Sequence, residues 1–181
     1  MDKDEKEVVR VGRYYGPGRT NNEAEAFALR DAIQCLVRLQ RTRRELFLPA
    51  RVFGDSQLII RFVTRIYKRP TRHSIYWALE EVRKAERSLD SVAYRHVGRD
   101  FNQVADDMGR RALEARADVI FWSGSIPDDA PPNQVKEVYT EQEGPCPLDW
   151  QGNQLPIPLE LVDPEPSVSC VFGGVVAAKV T

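Results

Sequence analysis

A chain of 181 residues can bury a substantial core, and it has room for one ordinary domain with an appendage rather than for two full domains. With 42% hydrophobic, 29% charged and 9% aromatic residues it has the composition of a soluble globular protein, which excludes a largely disordered chain. The net charge of -1 conceals a division: residues 1–116 carry 24 Lys+Arg against 17 Asp+Glu, whereas residues 117–181 carry 2 against 10. A basic body with an acidic tail suits a polyanionic partner, because phosphate contacts supply most sequence-independent affinity for nucleic acid. The bland alternative for the same charges is a set of solvated helix faces.

The longest apolar runs, Val171 to Ala178 and Leu58 to Ile60, fall far short of the roughly 20 residues of a membrane-spanning helix, so no membrane partner is expected. The charged start Met-Asp-Lys-Asp-Glu-Lys-Glu has no apolar stretch of the signal-peptide kind, and an intracellular location is expected, cytoplasm and nucleus not being distinguished. Cys35, Cys146 and Cys170 are widely spaced and form no C-x-x-C pair, which indicates neither a disulfide framework nor a zinc site.

In chain order, Val8 to Tyr15 has strand composition and is stopped by Gly16-Pro17-Gly18. A helix from about Asn22 to Leu39 follows, with Leu29, Ala32, Leu36 and Leu39 at helical spacing. Leu46 to Phe53 reads as a strand, Ser56 to Ile66 as a short helix and Thr71 to Leu89 as a longer one with Ile75, Ala78, Leu79, Val82, Ala85 and Leu89 on one side. Val92 to Val97 alternates as a strand does, and Asn102 to Ala117 is a last amphipathic helix. The arrangement is α/β. Nine of the twelve prolines then lie between Pro127 and Pro166, where the acidic excess is also concentrated, so 118–167 reads as a linker or arm before strand-like residues return at 168–181.

Three acids stand at element ends. Glu25 shares the helical stripe of Leu29, Ala32 and Leu36, where a charge is costly unless it is paired or binds a metal; the alternative is a first-turn acid favoured by the helix dipole. Asp55 follows an apolar strand and precedes a helix, the sheet end where ligands gather, although an N-cap would sit there equally well. Asp106 opens the last helix beside Asp107, and His96 ends a strand ten residues earlier, where a plain surface histidine is the competing reading. Oxygen ligands of this kind suit Mg²⁺.

Thr20-Asn21-Asn22-Glu23-Ala24-Glu25, Phe53-Gly54-Asp55-Ser56-Gln57-Leu58 and His96-Val97-Gly98-Arg99-Asp100-Phe101-Asn102-Gln103-Val104-Ala105-Asp106 occur together in the order and approximate spacing of type 1 ribonuclease H. Over residues 8–117 the chain resembles the version of that domain found in retroelement polyproteins and in plant and related reverse-transcriptase-like proteins. The resemblance implies a mixed five-stranded sheet flanked by helices that binds RNA–DNA hybrid and acts as a Mg²⁺-dependent endonuclease on its RNA strand, with Mn²⁺ as a substitute metal. It implies Glu25, Asp55 and Asp106 as metal ligands and His96 as a loop histidine assisting proton transfer or product release. Asn21, Asn22, Gln57 and Asn102 would be nucleic-acid-binding residues. Two metals about 4 Å apart would activate water and stabilise the leaving 3′-oxygen.

One departure stands out. The family begins with a central strand carrying a further Asp, then a glycine-rich turn and a second strand, all before the strand leading into Thr20; here nineteen residues precede Thr20, and Asp2 and Asp4 lie in a charged stretch without strand character. The domain is therefore expected to be N-terminally incomplete, with an acidic Pro-rich C-terminal extension. Degeneration or truncation of a retroelement copy is favoured, while Val168 to Val180 filling the gap is the rearranged alternative. The functions in competition are an impaired hybrid-cleaving ribonuclease, a catalytically weak nucleic-acid-binding remnant, and an interaction role for the acidic tail, with other parts of a polyprotein as further partners.

Overall fold

The computed structural model describes residues 6–42, 49–123, 135–139, 168–172 and 175–180. In chain order the elements are β1 (Lys6–Gly12), α1 (Asn21–Thr42), β2 (Ala50–Gly54), α2 (Gln57–Val63), α3 (His73–Glu86), β3 (Val92–His96), a 3-10 turn (Arg99–Phe101), α4 (Gln103–Ala115), β4 (Val119–Ser123), β5 (Val135–Tyr139), β6 (Val168–Phe172) and β7 (Val175–Val180). They build an α/β fold around one sheet of order β3-β2-β6-β7-β1-β4-β5. The sheet is mixed, as expected, and among the described residues it has seven strands rather than five. β2 is parallel to both β3 and β6, β7 is antiparallel to both β6 and β1, β1 is antiparallel to β4, and β4 is parallel to β5.

Strand side chains alternate between faces, and the burial pattern follows that period. Ala50 and Val52 of β2, with Val11 and Ile120 from the paired positions of β1 and β4, join the main core under α1, α2 and α3. Val119 faces the other way and packs with Ala105, Met108 and Ala112 of α4. α1 contributes Ala26, Leu29, Ile33 and Leu36, a continuous stripe at spacings of three and four, and Leu29, Ile33 and Leu36 are wholly inaccessible. Each such side chain is worth about 1.5–3 kcal/mol of burial. α3 answers with Ile75, Ala78, Leu79 and Val82.

The first strand stops at Gly12 rather than Tyr15. Beyond Gly12 the backbone is held by side chains instead of a ladder. Tyr14 N donates to Asp118 Oδ1 at 2.8 Å, Arg13 pairs with Asp118 at 2.9 Å and Asp31 at 3.2 Å, and the Tyr15 hydroxyl donates to Asp31 at 2.8 Å. Leu46 to Leu48, the expected start of β2, lie outside the described residues.

Two larger expectations change. Residues 118–167, read as an arm, contain β4 and β5, which extend the sheet beyond β1. Val168 to Val180 forms the hairpin β6–β7 in the middle of the sheet, between β2 and β1, so the rearranged alternative describes this chain better than an open truncation. The physical reason is that inner strands left unpaired would expose two rows of backbone donors and acceptors.

Close packing of β1 on α4 depends on Gly12, where an added Cβ would lie 2.4 Å from the Met108 carbonyl oxygen and 3.0 Å from its carbon. The backbone of α4 cannot yield as a flexible side chain would. Gly12→Ala is expected to lower stability by about 1–3 kcal/mol, the usual cost of overpacking, measured by urea unfolding. An unchanged midpoint would contradict this close approach.

Candidate functional site

The sheet end after β2 and β3 collects the residues singled out by the motifs. β2 runs directly into Asp55, and the N-cap of α2 is Ser56, which removes helix capping as the reason for Asp55. Its carboxylate is held from the neighbouring loop: Asn102 Nδ2 donates to Oδ1 at 2.7 Å, and Arg99 Nε stands 3.8 Å from Oδ2. Asn102 is itself buried, and its Nδ2 positions Asp55. His96 is exposed at the end of β3, its Nε2 lying 3.1 Å from the Asp55 carbonyl oxygen.

Glu25 lies one turn inside α1, partly buried, and its Oε2 is sealed from solvent with no hydrogen-bond partner. Burial, then the charge of Asp55, then that of Asp106, push its carboxyl up to about 7, while Arg99 acts in the opposite sense. Asp106, exposed in the first turn of α4, is also raised, by desolvation first and then by Asp55. The three acids thus share one electrostatic neighbourhood although they come from three separate elements. Asn21, Asn22 and Gln57 are exposed at the first residues of α1 and α2.

Part of the Thr20–Glu25 motif has a structural use that its letters already carried, namely the S/T-x-x-E capping box. Glu23 N donates to Thr20 Oγ1 at 3.3 Å, and Thr20 N donates to Glu23 Oε2 at 3.0 Å. Glu23 also accepts from Ser74 Oγ at 2.6 Å and pairs with Arg72 at 3.3 Å, which clamps α1 to the start of α3. These bonds, Ser74's foremost, hold the Glu23 carboxyl down to about 2. The Ser74 and Arg72 contacts had no sequence signal, since 51 residues separate Ser74 from Glu23.

The two-metal centre implied by the resemblance finds only part of its donor set here. The sealed Glu25 Oε2 is an oxygen that a cation would satisfy. Against that, Asp55 Oδ1 already accepts from Asn102, and among the described residues no three His, Cys, Asp or Glu side chains form a group that could hold a metal ion. β6, the new neighbour of β2, brings Val-Ser-Cys-Val-Phe and no acid, and Gly173 follows it in sequence. As arranged, the residues do not fit a pair of ions.

A second feature lies further along the chain. Arg61, Arg65, Lys68, Arg69 and Arg72 crowd the link from α2 to α3. Arg69 stacks 4.0 Å from the Tyr76 ring centre and Arg61 5.3 Å from that of Tyr67, and a cavity of about 270 Å³ opens among Arg69, Pro70, Thr71, His73 and Tyr76. Cations interleaved with aromatic faces suit a phosphate backbone with stackable bases.

Glu25 makes stability depend on pH in a determined direction. Its folded-state carboxyl is raised above the unfolded value, so the folded chain holds the extra proton. The associated stability is fully present below about 4.5 and lost as pH rises through about 7. Glu25→Gln is expected to flatten the fall in urea midpoint between pH 5 and 8 and to stabilise the chain at pH 8 by about 1–3 kcal/mol. Parallel pH profiles for the two proteins would contradict the crowding of acids.

The family described as reverse transcriptase-like matches residues 2–112. No curated protein matches the chain. Among solved structures, the chain is similar to RNase H1 from the halophilic archaeon Halobacterium salinarum NRC-1, with 27% identity over 54% of this chain and 68% of that one and a TM-score of 0.46. No helix among the described residues is long and apolar enough to cross a membrane. The match spans β1 through most of α4 and includes all three motifs, and the chain therefore belongs to the reverse transcriptase-like family, with a ribonuclease H-like domain.

Proposed function

We propose that this protein is a nucleic-acid-binding ribonuclease H-like domain whose hydrolysis of the RNA strand of RNA–DNA hybrids is impaired. The observation that carries the reading is the coexistence of three mutually repelling acids at one sheet end with an inner strand, β6, that supplies no fourth. Asn21, Asn22 and Gln57 are exposed at the starts of two helices, and in this reading they would meet a backbone or minor groove; the latter is the side from which A-like hybrids are read. The basic α2–α3 link supplies sequence-independent phosphate contacts.

The resemblance gives Glu25, Asp55 and Asp106 the task of holding Mg²⁺, or Mn²⁺ in its place, and His96 that of handling a proton at the leaving group; because their arrangement here does not fit a pair of ions, that task is met only in part. Without another acid, positioning of both the attacking and the leaving oxygen suffers. Asn102 and Arg99 fix Asp55, which keeps the site's shape without completing its charge. Origin within a retroelement polyprotein is part of the same reading and follows from the resemblance alone.

Filter binding to RNA–DNA hybrid is expected to weaken as salt rises. Lys68→Ala with Arg69→Ala should reduce the slope of log K against log salt by about 0.7–0.9 for each phosphate that the variant no longer neutralises. Absence of affinity at low salt would refute binding. In a cleavage assay on labelled hybrid with Mg²⁺ or Mn²⁺, very slow or no cleavage is expected. Robust cleavage abolished by Asp55→Asn would show that the site is complete and would end the impaired reading.

A further inference from the structure

The family match ends at residue 112, yet the two strands at the centre of the sheet lie at 168–172 and 175–180. Residues 2–112 supply β1, β2 and β3, and within the sheet β2 and β1 do not pair with each other. Every strand-to-strand connection between the β3–β2 half and the β1–β4–β5 half passes through β6 and β7. On one side β6 meets β2 over five register positions, Ala50↔Val168 to Gly54↔Phe172; on the other β7 meets β1 from Lys6↔Val180 to Gly12↔Val175.

The pairing of Lys6 with Val180 places the last paired residue of β7 directly opposite the first residue of β1. β6, β7 and β1 thus form an antiparallel meander that lacks only the link from β7 to β1. A short turn would join them, since antiparallel neighbours need as few as two connecting residues. The chain makes its connection elsewhere, from Tyr139 at the end of β5 to Val168, through residues 140–167. Four strand spacings of about 4.8 Å separate β5 from β6, roughly 19 Å. Twenty-eight residues, 140–167, can extend to about 90 Å, so the route imposes no strain.

We infer that the domain is circularly permuted: the hairpin Val168–Val180 is its two inner strands, delivered after β5 instead of before β1. The hairpin is then a part of the domain and not an appendage of it. Closely placed strand ends are the condition under which natural and engineered permutation is tolerated. The arrangement bears on the site, because α1, with Glu25, packs over β6 and β7, while α4, with Asp106, packs on β1 and β7, and Asp55 hangs from β2. The hairpin sets the spacing of the elements that carry these acids. The inference stands on the sheet order and is independent of nucleic-acid binding.

The test reorders the chain. In the full-length protein, hydrogen exchange read by mass spectrometry is expected to protect residues 168–180 as strongly as residues 50–54. Deleting everything after residue 167 is expected to abolish the cooperative urea transition. Placing residues 168–181 ahead of Lys6 through a two-residue Asn-Gly turn, with the chain ended after residue 139, is expected to restore it with an unchanged midpoint. Rapid exchange of 168–180 in the full chain, a truncated chain that still unfolds cooperatively at the original midpoint, or a reordered chain that remains as unfolded as the truncated one would each overturn the permutation.

Discussion

Backbone pairing inside the sheet is the constraint on which the rest of this protein depends. A strand that ends up between two others must have both its edges met, since buried amide and carbonyl groups left unpaired each cost on the order of 1–3 kcal/mol. β2 and β1 face each other across a gap two strands wide, and β6–β7 closes it with main-chain bonds on both flanks. The helices follow from that closure. α1 rests over the hairpin with its Ala26–Leu36 stripe, and α4 lies on the opposite face against Gly12 and Val119.

Electrostatics at the sheet end is a consequence of this closure and is only partly resolved by it. Three carboxylates are brought close enough for Asp55 and Asp106 to raise Glu25, and Arg99 offsets a share of the repulsion. Asn102 is the device that keeps Asp55 in place, a buried amide donating to a carboxylate across 47 residues of sequence. Such an arrangement leaves the negative charge of the three acids only partly offset. The basic α2–α3 link, exposed and rich in stacked cations, is under no comparable compromise.

Helices were the legible part of the sequence. The stripes of α1 and α3 fell at spacings of three and four, and their residues are the buried ones. Helix ends were less legible: α1 runs on to Thr42, past the expected stop at Leu39, because no glycine or proline intervenes. Strand ends were misjudged where side chains replaced ladder bonds, as at Tyr14 and Asp118. β4 is hard to see in the sequence because Val119 to Ser123 immediately precedes a proline-rich, acidic stretch whose composition points to an arm. At the site, the motifs mark Glu25, Asp55 and Asp106 individually, while the burial of Asn102 against Asp55 is a matter of packing that the motif does not carry. Local pattern cannot encode which distant hairpin fills a sheet, since strand pairing is a non-local choice.

The central claim is that β6–β7 lies between β2 and β1, and backbone NMR tests it most directly. Isotope-labelled full-length protein should show interstrand amide and α-proton contacts linking Val52 with Cys170 and Val11 with Val176, the paired positions of the parallel and antiparallel ladders. Contacts running directly between β2 and β1, or none joining residues 168–180 to either strand, would contradict the account.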